Sequence, residues 1–136
     1  MKNPIIVVNF KTYDSSIGKN AVKLAKLMDE TAKELHASVA VCVSATDIKK
    51  VSDEISIPVL GQHIDGVDFG AHTGRVLARA IQENGGVGSL VNHSEDRYKI
   101  EDIKLAVDKL KSEGMISIVC AKDSHESAEL AKFNPD

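Results

Sequence analysis

Residues 4–10 read Pro-Ile-Ile-Val-Val-Asn-Phe, an apolar and largely β-branched run without alternation. A strand with one wet face alternates apolar and polar residues, whereas a strand covered on both faces reads as a continuous apolar run. This stretch therefore points to a parallel sheet with helices packed on it. It is far too short to span a bilayer. Lys2 precedes it, but no small-residue cleavage site follows, so a secretory leader is not expected.

The same unit repeats along the chain. After the first run, a helix is expected from Ser15 or Ser16, with Ala21, Val22, Leu24, Ala25, Leu27, Met28, Ala32 and Leu35 as its apolar stripe and Lys and Glu opposite. A second strand is expected over 38–44, and a short helix from Thr46-Asp47 to Ile55 carries Ile48, Val51 and Ile55 at helical spacing. The third strand spans 57–64, with Pro58 near its start, where a missing donor is tolerated. A ten-residue loop, 65–74, holds three glycines. A helix over 75–84 follows, and Gly85-Gly86 stops it with residues suited to left-handed backbone. Strand four covers 89–92, helix four 99–113, strand five 115–120 and helix five 124–133, with Ser124 as its N-cap.

Strict βα alternation with apolar strands means an α/β fold with helical crossovers. Two parallel architectures fit: an open doubly wound sheet, complete at this length, or part of a barrel. The chain has 136 residues, roughly half of a (β/α)8 barrel of ~250 residues. No linker or composition shift divides it, so residues 1–136 read as one domain.

Net charge is −3 with both signs scattered, which argues against nucleic acid and anionic membranes as partners. Cys42 and Cys120 each lie inside an apolar run and read as reduced core residues of a cytoplasmic protein. Tryptophan is absent, so the core must come from Val, Ile, Leu and Ala.

In both architectures chemistry gathers at the C-terminal ends of the strands. Asn9 and Lys11 close strand one two positions apart. The lysine is either a holder of an anionic group or a surface cation at a loop start. His93 closes strand four, either as a polarising or ligating imidazole or as a satisfied histidine at the core edge. His63, His72 and His93 lack the short spacing of a metal site. Glu95, Asp96 and Arg97 read more readily as a carboxylate-rich helix start than as an acid pair with an ion partner. The glycine-rich loop has neither GxGxxG nor a P-loop lysine-serine pair. Its Val67, Phe69 and Ala71, with Val76 just beyond, point to an apolar surface that a partner chain covers.

Three segments carry a family resemblance. Val8-Asn9-Phe10-Lys11-Thr12-Tyr13 resembles the first strand and loop of triosephosphate isomerases, and Gly70-Ala71-His72-Thr73-Gly74-Arg75 resembles their interdigitating third loop. Leu90-Val91-Asn92-His93-Ser94-Glu95-Asp96-Arg97 resembles the fourth strand with its electrophilic histidine. Ile118-Val119-Cys120 is similar to the fifth strand, and Gln62-His63-Ile64-Asp65 to the compact archaeal branch. The similarity runs through the whole chain in order. It favours a TIM (β/α)8-barrel family fold, here a partial barrel of about five parallel βα units.

The resemblance implies interconversion of dihydroxyacetone phosphate and glyceraldehyde 3-phosphate, a step of glycolysis and gluconeogenesis, by a homo-oligomer that needs neither cofactor nor metal. It implies Lys11 as the cation near substrate oxygen and phosphate, and Asn9 as the residue that fixes the lysine and the substrate. His93 would be the neutral electrophile, its charge suppressed by a helix N-terminus just after it, the arrangement for which triosephosphate isomerases are known. Glu95 would support Lys11, Cys120 would pack behind the site, and Thr73 would reach from loop 65–74 into a neighbouring subunit. The family's general base, a glutamate ending strand six, and the phosphate loops after strands seven and eight have no match here. The expectation is a fragment, inactive alone. A non-catalytic partial-barrel homo-oligomer and an α/β module binding an anionic ligand through Lys11 and His93 remain alternatives.

Overall fold

A computed structural model of the protein describes residues 4–136; Lys2 and its neighbours in 1–3 lie outside the described residues. Five strands alternate with five helices: β1 (Ile6–Asn9), α1 (Lys19–Glu34), β2 (Val39–Val43), α2 (Ile48–Ser52), β3 (Val59–Gly61), α3 (Ala78–Glu83), β4 (Gly88–Val91), α4 (Ile100–Ser112), β5 (Ile116–Val119) and α5 (Ser124–Leu130). The strands form one parallel sheet in the order β1-β2-β3-β4-β5.

That order decides between the two architectures. A doubly wound sheet reverses at a switch point and places helices on both faces. Here each strand pairs with its predecessor. Val41, Val43, Val59 and Val91 point to one face and pack with residues of all five helices, among them Ala25, Val51, Ile81, Val107 and Leu130. The other face holds Ala40, Cys42, Leu60 and Leu90, flanked by Val7, Ile116 and Ile118, and among the described residues no helix residue joins it. All helices on one face and only strands on the other is a partial barrel of five βα units. It also explains why the strands are apolar on both sides.

Several boundaries differ from the sequence expectation, each for a local reason. Helix α1 begins at Lys19, because Asp14–Ser16 make a 3-10 turn and the Ser16 hydroxyl donates to the Phe10 carbonyl at 2.6 Å. Helix α3 begins at Ala78 rather than Arg75. Asp65 accepts from the Val76 N–H at 2.7 Å and from the Arg75 guanidinium at 2.8 Å, while its own N–H donates to the Val76 carbonyl at 2.8 Å, which takes those residues out of helical bonding. After α3 only Gly85 of the two glycines has positive φ, +88°. Asp123, not Ser124, caps α5, its carboxylate accepting from the Glu126 N–H at 2.8 Å.

Gly66 anchors the stem of loop 65–74 on α4. A Cβ there would lie 2.6 Å from the Leu105 Cβ and 2.7 Å from the Ala106 nitrogen, so only glycine permits the approach. Lys109 of α4 pairs with Asp68 of the same loop. Beyond these ties the loop stands clear of the sheet, with Phe69 78% exposed.

The sheet ends at β1 and β5. Beside β1 runs an apolar groove of about 350 Å³ between strand and α1, lined by Ile6, Val8, Leu24, Leu27, Met28 and Leu35 among others. No helix among the described residues is long and apolar enough to cross a membrane.

Candidate active site

A concavity of about 310 Å³ opens at the C-terminal ends of β1, β3 and β4, lined by Asn9, Lys11, Thr12, Gln62, His63, His93, Glu95 and Asp96. Lys11, at its centre, has φ +55°, a left-handed conformation uncommon outside glycine, asparagine and aspartate. Side chains hold it there. The Lys11 N–H donates to the Asn9 side-chain oxygen at 2.9 Å. The Gln62 amide donates to the Lys11 carbonyl at 2.9 Å and to the same Asn9 oxygen at 3.1 Å. Strand β3 thereby clamps the turn that follows β1.

The lysine then reaches the turn after β4. Its Nζ lies 2.8 Å from Oε1 of Glu95. This bond raises the lysine pKa above its ordinary value and lowers that of Glu95, so both stay charged.

His93 follows Asn92, a second left-handed residue, at φ +63°. Asn92 is 1% exposed. Its amide donates to the Cys120 carbonyl at 2.9 Å and its side-chain oxygen accepts from the Tyr98 N–H at 3.0 Å. Both polar ends are satisfied, and the chain is turned so that His93 faces the concavity. The His93 Nδ1 accepts from the Glu95 N–H at 3.3 Å, which leaves the ring proton on Nε2. One expectation is corrected here. No helix starts just behind His93: residues 93–96 form a turn closed by Asp96 N–H to the His93 carbonyl at 2.9 Å, and α4 begins at Ile100. Glu95, Asp96 and Arg97 are accordingly not a helix start. They pair respectively with Lys11, His63 and Glu126.

Of the residues singled out in the sequence, Asn9, Lys11, His93 and Glu95 come together around one cavity. Cys120 lies behind them, its N–H bonded to the Val91 carbonyl at 2.9 Å, with burial raising its thiol pKa. Thr73 is exposed on loop 65–74 and does not line this cavity. His63, His72 and His93 form no metal site, and no such cluster exists among the described residues. Gln62 and Asn92 were missed as site residues. Gln62 meets partners 20–53 positions away and the Asn92 amide donates 28 positions ahead, beyond any spacing rule; polar residues directly at strand ends were the only signal.

The chain matches the triosephosphate isomerase family over residues 4–134. Curated triosephosphate isomerases resemble it throughout. That of Methanothermus fervidus is 48% identical over 136 residues, covering 100% of this chain and 61% of the relative. That of Archaeoglobus fulgidus is 42% identical over 135 residues, covering 99% and 60%. The chain thus spans about three fifths of the length of these relatives. Among solved structures, triosephosphate isomerase from Bartonella henselae superposes with a TM-score of 0.81 at 19% identity, over 98% of this chain and 62% of that one, which bears on the fold.

Proposed function

The chain belongs to the triosephosphate isomerase family, and from that premise we propose that its cavity is the carbonyl-polarising and charge-binding part of a triosephosphate isomerase site. The observation that carries the reading is the convergence of Asn9, Lys11, His93 and Glu95, from the ends of β1 and β4, on one concavity.

In this reading a triose phosphate lies between Lys11 and His93. The His93 Nε2–H donates to the carbonyl oxygen of dihydroxyacetone phosphate or glyceraldehyde 3-phosphate. As a proton leaves the adjacent carbon, negative charge grows on that oxygen, and this donor stabilises the enediolate. A neutral ring is the suitable donor, and the Glu95 N–H on Nδ1 keeps the Nε2 tautomer in place. Lys11 supplies positive charge to the substrate oxygens and phosphate, Glu95 fixes the ammonium, and Asn9 holds the lysine backbone. Proton abstraction needs a positioned base. Glu95 and Asp96 line the cavity but are paired with Lys11 and His63, and no residue of this chain matches the family's base glutamate. The chain by itself binds and polarises without appreciable turnover, since loss of a general base costs ~10²–10⁴ in rate. It forms the first five βα units of the barrel of a cytoplasmic enzyme of glycolysis and gluconeogenesis, in a homo-oligomer contacted through loop 65–74 with Thr73 near its tip. No cofactor or metal has a part in this chemistry.

A coupled isomerase assay beside His93→Asn, with binding of a triose-phosphate analogue measured for the chain and for Lys11→Ala, tests this. Binding that depends on Lys11 supports the reading; no binding by either overturns it. A second reading, a non-catalytic partial barrel that pairs its edges with another copy, draws on the exposed β1 edge, where Ile6 is 58% exposed beside Leu27 and Leu35 at 60% and 68%. A defined oligomer that binds no analogue would favour it.

A further inference from the structure

His63, just past β3, is touched from two sides, by the stem of loop 65–74 and by the segment that follows β4. Its Nε2 lies 3.3 Å from Oδ2 of Asp65, the residue that clamps the stem of loop 65–74 through Val76 and Arg75. Its Nδ1 lies 3.0 Å from Oδ2 of Asp96 and 2.7 Å from the Tyr98 hydroxyl, both in the segment that carries His93. The Tyr98 hydroxyl also donates to the Ile64 carbonyl at 2.7 Å and accepts from the Ile64 N–H at 3.3 Å. With its one proton on Ile64, it is left to accept from His63 Nδ1. Carboxylates thus face both ring nitrogens, Asp65 at Nε2 and Asp96 at Nδ1. Other charged or titratable groups lining this cleft are His72 and Arg75 of the loop side and Arg97, Lys99 and Asp102 of the β4–α4 side.

We propose that His63 is a positioning residue: a pin that couples the stem of loop 65–74 to the turn carrying His93 and Glu95, so that disturbance of the loop is felt at the polarising imidazole. This deepens the isomerase reading and rests on it for the work assigned to His93. The coupling itself is geometric and stands or falls separately. Asp65 and Asp96 are 12% and 70% exposed, so the outer arm is weak alone. The Tyr98 ring, packed against the core and tilted at 5.2 Å from the His63 ring, gives that arm its rigidity.

The experiment is amide exchange on the chain, with NMR of its histidine rings, for wild type, His63→Gln and Tyr98→Phe. Both variants are expected to exchange about fivefold to tenfold faster in 65–76 and in 93–97, with β2 unchanged and the His93 ring resonances shifted. Acceleration in one segment only, in neither, or equally in β2 overturns the coupling. Failure of analogue binding with the exchange pattern intact removes the isomerase reading and leaves the coupling standing.

Discussion

The Lys11 ammonium lies 2.8 Å from Oε1 of Glu95, and this bond closes the cavity from the first strand to the fourth. The two residues are 84 positions apart, and each sits on a turn held by other side chains or backbone bonds: Lys11 by Asn9 and Gln62, Glu95 by the His93–Asp96 turn. The cation is therefore aimed by backbone geometry as well as by its partner. The pair is solvent-accessible, and its main consequence is for recognition rather than stability.

Lys11→Ala removes that cation while leaving the fold. Losing one charged hydrogen bond to a phosphate should raise the Kd for a triose-phosphate analogue roughly tenfold to a hundredfold. Titration calorimetry checks it. An unchanged Kd would show that the phosphate does not meet this lysine.

Gln62→Ala releases the clamp on the left-handed turn at Lys11 and leaves the Lys11 carbonyl without its donor. A loss of about 1–3 kcal/mol is expected in urea unfolding, with analogue binding weakened as well because Lys11 is no longer held. Stability lost with full binding retained would contradict the clamp.

Asp65 is partly desolvated, which raises its pKa, but the Val76 N–H, Arg75 and His63 outweigh that and hold it below its ordinary value. A depressed carboxylate stabilises the folded form fully above the unfolded aspartate pKa of about 4, and the contribution is lost as pH falls through the lower folded value. Amide exchange in 65–76 should therefore accelerate below a pH of about 4 before the β-sheet opens, and Asp65→Asn should give the same acceleration at neutral pH. Simultaneous opening of loop stem and sheet in acid would refute this order.

Burial pushes the Cys42 thiol up to about 12, so at a pH of about 8 it holds almost no thiolate. Both cysteines are free. Iodoacetamide should spare Cys42 in the folded chain and label the half-buried Cys120 first, although that thiol is raised too. In denaturant both should label alike. Rapid modification of Cys42 under native conditions, read by peptide mass, would contradict its burial.

Much of this was legible in the sequence because it rests on short-range patterns. The largely apolar, non-alternating runs at 4–10 and 115–120 pointed to two-sided strands, and the stripe from Ala21 to Leu35 to α1. Asn9, Lys11, His93 and Glu95 stood out because polar residues at the mouths of buried strands have few structural reasons to be there. What spacing could not disclose are bonds formed only after folding. Asp65 reaches forward eleven positions and shortens α3; Gln62 bridges two strands; Tyr98 meets His63 from 35 positions away. Periodicity alone left the barrel order open, since one-sided and two-sided crossovers share the same hydrophobic pattern; the family resemblance favoured the barrel, and the strand order bears it out.

Sequential strand pairing also bears on how the molecule acquires its shape. Each strand's partner is the one translated immediately before it, with a single helix between, so every new βα unit can dock onto a surface that already exists. Local connectivity of this kind lowers the loop-closure cost of each addition. At ~5–20 residues per second, synthesis gives each unit seconds to settle before the next emerges. The sheet can grow in one direction, like a row laid course by course, each unit closing against the edge the previous one left open.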